Sequence, residues 1–262
     1  MNSARGLFGL AAGVLLLTLS FGARSVSAQD QTPSEAPAQA SGSGAGANAA
    51  SPTAGDGAYP GFKVRYGIPP GTDLVALVDK PTLIGMTVSS FRDPATGERR
   101  LNGFGEAHAV YDVPLDAVFK VLQDYPGQKA YSKRLLDVKV EYQDAERAVV
   151  YQDIGISFLG LKFGSRVRSE ILVDRLGPGE IGIRARLLES VDHNLFESFS
   201  SWYLKEVEVG GKTMLYLRTF TSPGLRNPFI GVAGVVKSFT PPELRGQLQD
   251  TVKEALRRLA QK

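Results

Sequence analysis

Few side chains in this sequence are suited to proton or metal chemistry near neutral pH. It has two histidines, His108 and His193, far apart in the chain, and no cysteine. There is no H-E-x-x-H or H-x-H spacing, so a zinc or iron site would have to be assembled from carboxylates alone. No metal and no cofactor is expected. A G-x-S-x-G elbow, a Walker loop and a dinucleotide fingerprint are all absent; Gly103-Phe104-Gly105 lacks the third glycine and leads into a strand, not a helix. Acid–base work on a substrate would fall to His108, Asp153 or Tyr203. Their spacing selects none of them, so no catalytic residue is assigned and binding is favoured over catalysis.

Recognition of an apolar molecule has better support. The clearest alternation runs over residues 161–173, with Leu161, Phe163, Ser165, Val167, Ser169, Ile171 and Val173 on one face and Lys162, Arg166, Arg168 and Glu170 on the other. Two small hydroxyls among large apolar groups suit a lipid-like ligand with one polar end. Arg166, Arg168, Arg184 and Arg186 share the outer face of one hairpin, to meet anionic headgroups or to pair with Glu170 and Glu180 in solvent.

The elements that must position these residues occupy the second half of the chain. Residues 1–28 have a basic start at Arg5, an apolar run over 7–21 and small residues Val26-Ser27-Ala28, the features of a cleavable export signal. Without that leader and its Arg5 and Arg24, the 30 basic residues fall to 28 against 27 acidic ones, too nearly balanced for a general nucleic-acid binder. Residues 29–58, rich in Gly, Ala and Ser, read as a disordered low-complexity linker. Residues 59–104 read as an N-terminal extension packed on the main domain, with strand-like stretches at 62–68 and 82–91 and a loop at 93–97. The main domain, 105–262, opens with a strand over 105–113. Pro114 then starts an amphipathic helix with Val118, Phe119, Leu122 and Tyr125 on one face, and a second short helical turn follows at 128–133. Antiparallel strands come next, with turns at Gly177-Pro178-Gly179 and Gly210-Gly211. Residues 154–163 and 228–236 mix glycine with large apolar groups and read either as the mouth of a cavity touching a membrane or as ordinary core. The chain closes on an amphipathic helix over 240–259, capped by Thr240 and Glu243, with Leu244, Leu248, Val252, Leu256 and Leu259 as its apolar stripe.

Three pieces of this order, GEAHAVYDVPLDAVFKVLQDYPGQKAY, FSSWYLKEVEVGGKTMLYLRTF and the terminal helix, resemble the START and Bet v 1-like (SRPBCC) superfamily and its polyketide cyclase/dehydrase and coenzyme Q-binding relatives. The resemblance covers residues 105–262. It implies an α+β helix-grip fold: a curved antiparallel sheet around a long C-terminal helix, with two short helices after the first strand. It also implies an apolar cavity between sheet and helix, for which Phe119, Leu122, Phe163, Ser165, Val167, Ser169, Trp202, Leu204, Leu215, Leu217, Leu248 and Val252 are the candidate lining. The expected function is an exported, periplasmic, monomeric protein that binds or transfers a lipid, fatty acid or isoprenoid quinone with transient membrane contact and no nucleic acid. The alternatives are a cyclase/dehydrase-like enzyme on an apolar substrate, or an envelope interaction module with a filled core. If Leu248 and Val252 face open space, the terminal helix is a lid, and Leu248→Trp blocks ligand uptake without unfolding the chain.

Overall fold

The computed structural model describes residues 59–261 except 133, 159–160 and 229. The expected export signal and linker lie outside those residues. Eight strands are described: β1 (Thr82–Arg92), β2 (Arg99–Tyr111), β3 (Leu135–Gln143), β4 (Arg147–Phe158), β5 (Leu161–Gly177), β6 (Glu180–Ser190), β7 (Leu195–Val209) and β8 (Lys212–Arg226). They form one sheet in the order β1-β2-β8-β7-β6-β5-β4-β3, antiparallel throughout. Helix α1 (Leu115–Gln123) and a 3-10 turn (Pro126–Ala130) follow β2, and helix α2 (Val232–Leu259) ends the chain. The sheet curves around α2, which is the helix-grip arrangement.

Turn chemistry and alternation account for this local structure. Gly210 and Gly211 have φ of +60° and +78°, the left-handed pair that a two-residue hairpin between β7 and β8 requires. On the inner face Ala107, Ala109, Leu204, Leu215 and Leu217 form one core with Leu244, Leu248 and Val252 of α2. Gly105 allows this contact, because a Cβ there would lie 2.7 Å from Thr240 Cγ2 and 2.8 Å from Leu244 Cδ1.

Several expectations are corrected. α2 begins at Val232, eight residues before Thr240, and holds Pro241 and Pro242 in its interior. Val232 and Val236 bury themselves against Leu101, Leu195 and Leu225, which outweighs the lost hydrogen bonds; the carbonyls deprived of partners belong to exposed Lys237 and Ser238. The capping box therefore does not form, and Glu243 instead pairs with Arg134 at 2.7 Å. Leu256 and Leu259, expected in the apolar stripe, are exposed, whereas Glu254 is buried and holds Arg257 and Arg258. Residues 62–68 join no ladder, and the second helical turn is the 3-10 turn, which starts two residues earlier than expected. Gly105, the expected start of the main domain, lies within β2.

The outer face of β2, β7 and β8 is also dry, because residues 59–81 lie across it. Leu77 packs with Val110, Tyr203 and Tyr216 beneath them. At the centre, Arg218 is ion-paired with Glu106 and donates from Nη1 to the backbone oxygens of Gly67 (2.7 Å) and Tyr66 (3.1 Å). His108 lies alongside, 8% exposed, with Nδ1 2.9 Å from the Tyr216 hydroxyl. Burial, and then the charge of Arg218, lower its pKa to about 4 from 6.5. Between those two values the unfolded chain takes up a proton that the folded chain refuses, so stability falls as pH falls through this window, by about 3 kcal/mol from this group. Urea unfolding from pH 7 to pH 4 should show that loss in the parent and a flatter profile in His108→Gln.

The four arginines of the β5–β6 outer face are all engaged. Arg166 pairs with Asp192 and Arg168 with Glu141, each at 2.5 Å; Arg184 pairs with Asp174 at 3.2 Å and Arg186 with Glu170 at 2.7 Å. Arg184 and Arg186 also stack over Phe62 of the extension, at 4.9 and 4.8 Å. Glu180 serves Lys205 and the Tyr203 hydroxyl, not an arginine.

Candidate functional site

The core is interrupted by a cavity of about 30 Å³ between the inner face of β4–β7 and the cover formed by α1 and the 3-10 turn. α1 supplies Leu122, the turn supplies Gln128, and Tyr125 lies just before the turn. The strands supply Gln152, Ile171, Ile183, Ala185, Ser200 and Trp202, all of which follow the inward half of the alternation. As closed, this space has room for one or two waters. Gln152 is 1% exposed and its Oε1 has no partner. Gln128 donates from Nε2 to the Leu122 carbonyl at 3.2 Å, and its own Oε1 is buried without a partner. Burial pushes the Tyr125 hydroxyl up to about 12, so it stays protonated at any physiological pH.

Of the twelve residues expected to line a cavity, this one brings together Leu122 and Trp202. Leu204, Leu215, Leu217, Leu248 and Val252 are buried in the main core outside its wall, and Phe119 is partly buried at the edge of that core, with the Arg175 guanidinium 4.7 Å from its ring. Ser165 and Ser169 are buried on the inner face of β5, and the Ser165 hydroxyl has no partner. Val167 belongs to a separate cluster with Leu101 and Val232. Phe163 lies on β5, but its side chain is outside the described residues. The seven other wall residues were missed. For Gln152 a signal existed: it interrupts the inward series Ala148, Val150, Ile154 of β4 with an amide.

A second cavity, of about 20 Å³, lies between β1, β2, β8 and the start of α2; it is walled largely by apolar groups such as Met86, Leu101 and Val236, and by none of the twelve expected residues. Further along α2 the inward edge is polar. Glu243 holds Arg134, burial drawing the pKa of each toward its neutral form, and Gln247 accepts from the Thr219 hydroxyl at 3.4 Å. None of the three acid–base candidates is in a cavity wall: His108 and Tyr203 lie under the extension, and Asp153 follows inward Gln152 onto the other face of β4. Among the described residues no cluster of His, Asp or Glu could hold a metal ion.

Ala185 sets the floor of the cavity. Ala185→Leu should occupy it and abolish ligand binding while leaving a cooperative melt, because the added carbons enter existing space.

No family model and no curated protein matches the chain in sequence. Solved structures similar to it include a STAR-related lipid transfer protein from Xanthomonas axonopodis, at 14% identity over 67% of this chain and 98% of that one, TM-score 0.46. Human STARD10 follows at 13% identity over 66% of this chain and 74% of that one, TM-score 0.47. The Zhui aromatase/cyclase of a Streptomyces species has 19% identity over 60% of this chain and 96% of that one, TM-score 0.41.

Proposed function

We propose that the chain is an exported binding or transfer protein for a hydrophobic small molecule of the lipid or isoprenoid kind, held between the inner face of β4–β7 and the α1 cover. One observation carries this reading: an apolar chamber that the core leaves unfilled, into which two buried amides bring unpartnered oxygens. Two acceptors without protein partners in an otherwise apolar chamber suit a ligand with an apolar body and one polar end. A lipid-sized ligand enters by displacing the cover, whose polar fastenings are partly exposed: Arg258 to Asp124 at 2.8 Å, Lys129 to Asp137 at 3.0 Å, and Gln143 Nε2 to the Gln123 carbonyl at 3.0 Å. Membrane contact during transfer is assigned to the start of α2, where Ile230 is 86% exposed. No described helix is long and apolar enough to cross a membrane. Export to a periplasm rests on residues 1–28.

Trp202 is the only tryptophan in the sequence and forms part of the wall, so its emission reports occupancy directly. Titration with long-chain apolar ligands should give a saturable change in the parent. Unchanged emission across a lipid panel would leave the filled-core interaction module as the better reading.

A further inference from the structure

We propose that the molecule held in the α1-covered cavity is uncharged when bound and donates a hydrogen bond, as a hydroxyl group does, to Gln128; this rests on the binding function proposed above. Gln128 is 6% exposed, and its amide orientation is determined by its surroundings. Nε2 donates to the Leu122 carbonyl at 3.2 Å, so reversing the amide would set two carbonyl oxygens against each other. Oε1 is therefore the atom left over, and a carbonyl oxygen can only accept. Gln152 adds a second buried amide oxygen without a partner on the opposite wall. The remaining polar wall groups, Ser200 and Tyr125, are hydroxyls that can donate or accept and so do not alter this demand.

The charge follows from the same wall. Among the described residues lining the cavity there is no Lys, Arg, His, Asp or Glu. A carboxylate or phosphate brought inside would lose its hydration with no cation to replace it, and a buried ion in that position takes up a proton or stays out. The wall thus discriminates within apolar ligands. Alcohols, sterol-like and prenyl alcohols and hydroquinones satisfy Gln128; ionised fatty acids leave it facing a second acceptor.

Three probes of one chain length separate these cases: 1-decanol, decyl methyl ether and decanoic acid, each titrated against Trp202 emission at about pH 7.5. The alcohol is expected to bind about tenfold more tightly than the ether, the cost of leaving a buried acceptor unmade. The acid is neutral in roughly one molecule in a thousand at that pH. It should bind more weakly than the alcohol and gain about tenfold per unit as pH falls toward its pKa. Gln128→Leu should bring the alcohol-to-ether ratio toward one. Equal affinity for all three, or tightest binding by decanoate, overturns the inference while the binding function stands. No response to any of them defeats the binding function itself, and this inference with it.

Discussion

Glu106→Gln is expected to destabilise the chain by about 3–5 kcal/mol, the cost of leaving one partner of a buried ion pair alone. Arg218 and Glu106 are each 3% exposed; Arg218 stands opposite His108 on β2, and Glu106 is two residues along that strand on the same face. Arg218 would keep the carbonyls of Tyr66 and Gly67, and Arg65 would lose the carboxylate 3.9 Å away. The loosened part is then the strap of residues 59–81, so protease cleavage within it should rise together with the drop in urea midpoint. The double change Glu106→Gln with Arg218→Met should recover much of the loss, because an apolar pair of similar volume need not be desolvated as ions. A single-variant loss under about 1 kcal/mol would mean that the strap is held by its apolar contacts alone.

Leu248→Ala should cost about 2–5 kcal/mol. Leu248 is fully buried in the core shared by α2 and the inner face of the sheet, and it borders neither described cavity. The same packing decides the fate of Leu248→Trp. The helix was to be a lid if Leu248 and Val252 faced open space; they face side chains, so the larger ring overpacks the core and lowers the melting temperature instead of blocking a pocket. If Leu248→Trp melted like the parent and failed to bind ligand, the lid reading of α2 would be restored and the α1 cover displaced.

These two sites mark where sequence reasoning reached and where it stopped. The alternation of β5 and the Gly210-Gly211 hairpin were legible because a strand's period and a two-residue turn are local properties of the chain. A one-sided antiparallel sheet with its apolar face covered followed from them; the helix-grip arrangement came from the family resemblance, and the strand order came from neither. The start of α2 was misread because Pro241 and Pro242 have the backbone angles of a first turn, and only the distant partners of Val232 and Val236 show that helix precedes them. The strap was assigned as packed on the main domain, but its purpose was hidden: Glu106, His108 and Arg218 look like solvent-facing residues of a one-sided sheet until residues 59–81 cover them. Periodicity likewise separated inward from outward residues without saying which inward ones leave a gap. Leu204, Leu215 and Leu217 face inward and meet α2, whereas Ile183, Ala185 and Ser200 face inward where α2 does not reach, and α1 spans the space instead.

Native mass spectrometry of the protein taken directly from the cells that make it, before and after solvent extraction, addresses the binding reading most directly. The expected spectrum has one apolar small molecule per chain, lost on extraction, regained from a lipid panel and absent from Ala185→Leu; the bare-chain mass should correspond to a start at Gln29. A parent chain that stays empty through extraction and panel alike, or an Ala185→Leu chain that loads as fully as the parent, would contradict the assignment of this cavity as a ligand site.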